Sequence, residues 1–251
     1  MKSLIALVAL YVVAVCTPFG QRAENAMFVG YGDPALIFRI LYSVGPPPLK
    51  WDDTTIILGL ALIALVGLIR RKWLLTAASL GVPAATIGSS YLISRYILPR
   101  PDISDAPPPL IAVSFPSGHT SIAAGLVLGA ILVATPRARP YVAAVGTLWL
   151  AFTAAAILAL YWHRPSDVVG ATLIACIWYG VATRLLPGEQ SMAKTPTVLV
   201  LALAAVGASV GGWRTDGYTR PLIFAATGLL CAVIVWFTVV RRSPAAAATP
   251  R

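Results

Sequence analysis

Ser114-Phe115-Pro116-Ser117-Gly118-His119-Thr120-Ser121 is a short polar stretch placed where a long apolar run begins. Pro116 suits the first position of a helix, because its missing N–H would be unpaired there anyway. Ser117, Gly118 and His119 then occupy the first turn, whose amides have no partner inside the helix. Such a turn receives anions, phosphate above all. Gly118 lets a ligand approach the backbone closely, and His119 adds a group that titrates near neutral pH. The plainer reading of this stretch alone is a capped helix start with an incidental histidine.

Working outward, the whole chain is apolar. Of its 251 residues 58% are hydrophobic and only 11% charged, against about 25% charged in a soluble domain. Mean hydropathy is +0.82. The expected class is therefore all-α: a polytopic membrane helical bundle, with the length taken up by spans rather than by a large soluble domain. Cys16, Cys176 and Cys231 lie scattered in apolar segments. They show neither metal spacing nor a disulfide framework and read as small core residues.

A span needs about 20 apolar residues. Eight segments qualify as candidates: 2–19, 53–69, 73–98, 117–135, 140–161, 167–186, 197–213 and 222–240. The first has an alternative reading as a signal peptide, with Lys2 as its basic start and residues 4–15 as its apolar core. With the N-terminus in the cytoplasm, eleven of the nineteen basic residues fall on the cytoplasmic side, together with only one of the nine acids, Glu189. The entire net charge of +10 thus lies inside. That is the positive-inside pattern, and it removes the need for a nucleic-acid partner. Both termini are then cytoplasmic, and both histidines, His119 and His163, face the outer side.

Between the spans, residues 34–44 carry Leu36, Ile37, Ile40, Leu41 and Val44 on one helical face. This reads either as an interfacial helix on the membrane or as a plain connector. Gly207 and Gly211 form a small-residue pair of the close-packing type. Residues 105–109 read as a stiff extended loop, and residues 243–251 as a disordered tail.

Three groups converge on the outer face. Arg95, Arg100 and Asp102 follow the third span, Ser117, Gly118 and His119 open the fourth, and His163, Arg164 and Asp167 lie between the fifth and sixth. Histidine can act as a nucleophile, and a neighbouring carboxylate fixes its tautomer and stabilises its cation. Arginine grips phosphate oxygens in pairs. A second histidine can protonate a leaving oxygen. Together these residues describe a phosphoryl-transfer site.

Pro116-Ser117-Gly118-His119, His163-x-x-x-Asp167 and the upstream Arg100-Pro101 resemble the type 2 phosphatidic acid phosphatase (PAP2) family, membrane lipid phosphatases related to vanadium haloperoxidases. The resemblance extends over the first six spans, roughly residues 1–186. It implies a six-span catalytic core there, two additional helices in 187–240 and a cytoplasmic tail in 241–251. It also implies that His163 is the nucleophile that forms a phosphohistidine, Asp167 its orienting partner and His119 the general acid. Arg100, Ser117 and Gly118 are the implied phosphate ligands. The family uses no metal, and no cofactor is expected. Two family cations are absent: the expected lysine is Ile93, and the expected Ser-Arg is Ala156-Ile157. Arg95 and Arg164 are the nearby replacements; each also reads as an interfacial arginine with its head in water.

The leading expectation is hydrolysis of a lipid phosphate or pyrophosphate on the outer membrane face. An isoprenoid pyrophosphate is the first choice, with phosphatidate and phosphatidylglycerol phosphate open. The competing class is a PAP2-like protein that binds or moves phospholipids without hydrolysis. A small-solute transporter is a weaker third, because the charged groups sit at span ends rather than within spans.

Overall fold

The computed structural model describes residues 2–28, 53–98, 100–104, 114–186, 193, 197–214 and 217–242. Among them every regular element is helical. In chain order the α-helices are α1 (Lys2–Leu10), α2 (Pro18–Asn25), α3 (Asp53–Ile69), α4 (Trp73–Leu92), α5 (Gly118–Val133), α6 (Arg139–Ala159), α7 (Pro165–Leu185), α8 (Thr197–Gly211) and α9 (Thr219–Arg242). A π-turn continues α1 through Tyr11–Val15, and another continues α4 through Ile93–Ile97. Seven of the eight expected spans overlap one of these helices each, and the first is broken between α1 and α2. The segments 34–44, 105–109 and 243–251, as well as Glu189, lie outside the described residues.

By length and composition, α6, α7 and α9 are long and apolar enough to cross a membrane, while α3, α5 and α8 are shorter apolar helices. The polarity pattern is that of a helical membrane protein. The peripheral helices turn aliphatic side chains outward, such as Ile5, Ile57, Leu58 and Leu62. The interior instead holds hydroxyls, with Ser79, Thr86, Ser121, Thr147, Thr153 and Thr172 fully buried. Several of these bond back to carbonyls one turn earlier, as Thr86 does to Val82 and Thr147 to Ala143. A side chain that satisfies its own helix can be buried without a distant partner.

Helix α5 is the hub. It is apolar on all sides and buried almost all round, as expected of a helix surrounded by others, and α3, α4, α6 and α7 pack around it. Its C-terminal carbonyls are taken by two arginines. Arg70 Nη1 donates to Val133 O at 2.6 Å, and Arg139 donates to Ile131 O and Leu132 O. Cations there complement the helix dipole. They lie at the opposite end of α5 from His119.

Helices α8 and α9 pack on α6 through small residues. A Cβ on Gly207 would fall 2.5 Å from Leu148 O, one on Gly228 2.5 Å from Ala151 O, and one on Gly211 against Phe152 O. The Gly207/Gly211 pair is therefore a close-packing face, turned toward α6. Cys176 and Cys231 are buried as expected, but Cys16 is exposed, because it sits at a break in the chain.

That break corrects the first expected span. The helix begun at Lys2 stops at Val15, not near residue 19, and α2 leaves it at 77°. Thr17 is the cause: its hydroxyl accepts from Gly20 N at 3.0 Å, and Pro18 takes the first helical position. This is a helix start, so α2 begins anew in another direction. Helix α1 packs on α7, with Leu7 and Val15 buried.

Candidate active site

The stretch 114–121 starts its helix two residues later than expected. Ser117, not a residue before Pro116, is the cap: its hydroxyl accepts from Thr120 N at 3.3 Å, and α5 begins at Gly118. A serine oxygen that satisfies a first-turn amide outcompetes proline's preference for the first position. The Phe115–Pro116 peptide is cis. Phe115 is buried against Tyr11, in space left by Gly170, where a Cβ would lie 2.5 Å from the phenyl ring. Ser117 N donates to the main-chain oxygen of Asp167 at 2.9 Å. The amide of Gly118 has no acceptor within the helix, and Gly118 lines the cleft described below.

His163 lies in the turn between α6 and α7. Tyr161, two residues before it, holds a left-handed backbone at φ 57°, an uncommon state for a non-glycine residue. Two arginines from the α8–α9 region hold this turn. Arg214 lies over the Tyr161 ring at 4.5 Å and donates to Ala159 O at 2.5 Å, while Arg220 donates to the Tyr161 hydroxyl at 3.1 Å. His163 Nδ1 is 3.4 Å from Asp167 Oδ2, one turn on, and Arg164 N donates to the same oxygen at 2.9 Å. Asp167 is fully buried. A carboxylate at Nδ1 turns Nε2 away from it, toward the cleft. The rings of His119 and His163 are 5.8 Å apart and nearly edge-on, and Trp162 lies 5.4 Å from His119.

A cleft of about 610 Å³ opens here, with Arg95, Ser114, Gly118, His119 and His163 in its wall, and Ile87, Gly88 and Tyr91 of α4 forming an apolar side. Arg95 is exposed. Arg100 and Arg164 are buried and do not line the cleft. Arg164 donates to Ser114 Oγ at 3.0 Å and to Asn25 Oδ1 at 3.3 Å. Burial, and then the nearby Arg100 charge, push the Arg164 guanidinium below its usual range. Arg100 Nη1 and Nη2 make no hydrogen bond among the described residues. Asp102, grouped with these arginines on sequence grounds, is exposed. At the positions where the resemblance leads one to expect cations, Ile93 packs against the cluster of Leu7, Val15 and Phe115, and Ala156 and Ile157 are fully buried in α6.

The acid that does enter the site is Glu24, which sequence reasoning missed. Its two oxygens accept from Ser166 N at 2.8 Å and Ser166 Oγ at 3.0 Å, and Oε2 is 3.6 Å from Arg100 Nη2. Burial, then Asp167, push its carboxyl up to about 7. Gln21 and Asn25 accompany it on the same face of α2. The available signal was Thr17-Pro18, a helix start, followed by polar residues at i, i+3 and i+4. Among the described residues no group of three or more His, Cys, Asp or Glu side chains is placed to hold a metal ion.

Two histidines thus face each other across a cleft in the helical bundle, one of them held by a carboxylate. Residues 71–191 match the PAP2 superfamily, the family that the motifs resemble. The chain is also 40% identical over 72 residues to phosphatidylglycerophosphatase B of Escherichia coli K12, and equally to that of E. coli O157:H7 and of Shigella flexneri. Each alignment spans 29% of this chain and 28% of the relative's length. No solved structure matches the chain.

Proposed function

We propose that the protein is a membrane lipid phosphatase that works through a phosphohistidine. The observation that carries the reading is His163, backed by Asp167 at 3.4 Å and facing His119 across a cleft. In the proposed first step His163 Nε2 attacks the terminal phosphorus, the bond from that phosphorus to the oxygen linking it to the rest of the lipid breaks (the bridging oxygen of a pyrophosphate, the ester oxygen of a monophosphate), and His119 gives that oxygen its proton. In the second, His119 takes a proton from water, the oxygen attacks phosphorus, and the N–P bond breaks to release inorganic phosphate. Arg95 and Gly118 in the cleft wall, with Ser117 and the buried Arg100 and Arg164 behind it, supply the positive potential for the developing negative charge. The chemistry needs no metal and runs in the presence of a chelator. PAP2 superfamily membership of residues 71–191 and the likeness to a phosphatidylglycerophosphatase support a lipid phosphate as substrate.

The apolar α4 side of the cleft suits a substrate whose tail stays in the bilayer. An isoprenoid pyrophosphate is the preferred candidate, before phosphatidate and phosphatidylglycerol phosphate. The proposed topology has about eight spans: a six-span core in residues 1–186, two further helices in 187–240 and a cytoplasmic tail. Both termini are then cytoplasmic and the histidines lie at the outer face of the cell membrane. The separation of Arg70 and Arg139 from His119 along α5 supports this orientation. The test is phosphate release from a panel of these lipids by the purified protein. His163→Ala should lower kcat by about 10³-fold or more; unchanged release would overturn the nucleophile. Lipid binding without turnover across the panel would select the non-hydrolytic alternative, which the apolar Ala156-Ile157 pair favours.

A further inference from the structure

Three polar side chains of α2 leave one face of that helix and reach two separate parts of the site. Gln21 Nε2 donates to Pro101 O at 2.7 Å, and Asn25 Nδ2 to Ser104 Oγ at 3.2 Å. Both bonds hold the segment that carries Arg100. Asn25 Oδ1 accepts from Arg164 Nε, and Glu24 takes both Ser166 donors. These hold the turn that carries His163 and Asp167. Gln21 also donates to Val15 O at 2.8 Å, which fixes α2 against the end of the first helix. All three residues are buried.

The chemistry of Glu24 is specific. Two guanidiniums, Arg100 and Arg164, are buried close enough for one to disfavour the charge of the other. Like charges at such a distance in low dielectric repel strongly. A carboxylate beside them offsets that repulsion. Yet Glu24 does not consume the donors of Arg100: at 3.6 Å the contact is an ion pair without a hydrogen bond, and the carboxylate oxygens are occupied by Ser166. Arg100 is thus held by charge while Nη1 and Nη2 keep their donors.

We infer that α2 is a positioning clamp for the anion site, with Glu24 as the buried counter-charge that holds Arg100 and the first turn of α7 in one frame. Glu24 does not touch the reacting atoms; it acts through Arg100. The inference rests on the phosphate-site reading above.

The test uses full-length protein in detergent and inorganic phosphate as the probe, measured by calorimetric titration, so that it does not depend on turnover. Glu24→Gln keeps the shape and a set of bonds to Ser166 but removes the charge. It should melt close to the wild type at pH 4.5, and at pH 8.5, where Glu24 carries its charge, it should bind phosphate about tenfold more weakly than wild type. In an Arg100→Ala background the same change should have no further effect on phosphate affinity. Where turnover is measured, the loss should fall mainly on KM. Unchanged or tighter phosphate binding by Glu24→Gln overturns the inference, as does full additivity with Arg100→Ala. Glu24→Ala serves as the comparison, and should it fail to fold, Glu24→Gln still decides. No phosphate binding by the wild type would instead overturn the anion-site reading, and the inference with it.

Discussion

The amide of Ser117 donates to the main-chain oxygen of Asp167 at 2.9 Å. One histidine stands two residues after the donor and the other four residues before the acceptor. The turns that carry them are therefore joined through backbone, whose geometry no rotamer change can loosen. The spacing of His119 and His163 is a property of how α5 and α7 meet, and each of the following expectations acts on that junction.

Asp167→Asn should leave the fold close to intact, since an amide oxygen can still accept from Arg164 N. It replaces the carboxylate that holds His163 Nδ1 with a neutral amide. Phosphate release should fall on the order of 10³-fold in kcat, with little change in KM. Steady-state kinetics on the preferred lipid check this; a variant within a few-fold of wild type would dissociate the carboxylate from the reaction.

Gly170→Ala places a methyl group 2.5 Å from the Phe115 ring, which is already packed against Tyr11. Overfilling of this kind costs about 1–3 kcal/mol, and it pushes on the segment that leads into Ser117. Thermal unfolding should shift down, and the added Phe115→Leu change should restore part of the loss. Activity should recover together with stability.

Arg214→Ala removes the partner of Ala159 O and the cation over Tyr161. A buried hydrogen bond to a charged group contributes about 1.5–3 kcal/mol. The left-handed Tyr161 is then held less firmly, and kcat should drop about tenfold through the misplacement of His163. The measurement is kcat beside the unfolding midpoint, with Arg214→Lys as the comparison. Lysine keeps the charge but not the planar stacking, and should recover stability more than rate.

Glu24 sets a pH dependence of stability. Its carboxyl rises from the ordinary 4.5 to about 7, chiefly through burial and then Asp167. The charged groups facing it are Arg100 after α4, Arg164 in the α6–α7 turn and Asp167 in α7. A raised folded value means that the folded protein holds this proton more tightly than the unfolded chain. The stabilisation is full below pH 4.5 and is lost as pH rises through about 7, by linkage. Unfolding midpoints from pH 4 to 8.5 should show wild type losing stability relative to Glu24→Gln across this window, and then running parallel. Equal slopes throughout would remove Glu24 as the titrating group.

Much of the bundle was legible because apolar runs of span length form helices whatever their partners. Seven of the eight runs did so in order, and the first broke between α1 and α2. The pairing of His163 with Asp167 was legible as a histidine four residues before a carboxylate, and the structure brings them together at the start of α7, where Asp167 accepts from Arg164 N in the first turn. The opening stretch was legible as a helix start but not to the residue, because Ser117 and Pro116 compete and only the bond to Thr120 decides. What α2 does could not be read from its composition. Gln21 and Glu24 meet partners 80 and 142 residues away, and no local pattern encodes that distance. The same holds for Arg214, which reads as a loop arginine until Ala159 and Tyr161 are seen beneath it.

The elbow at Cys16–Thr17 has a consequence for how the molecule is made. Residues 18–25 are synthesised early, yet their bonds are to residues 100–104 and 164–166. Contacts of such high sequence separation close late, and the cost of the intervening loop is met before they return anything. Gln21 and Asn25 wait for Pro101 and Ser104, and Glu24 waits longer still, for Ser166; a helix turned at 77° to its predecessor can wait at the membrane boundary where a straight continuation could not. The site is thus completed late, and a nascent chain stopped short of α7 holds both histidines but neither Ser166 nor Asp167.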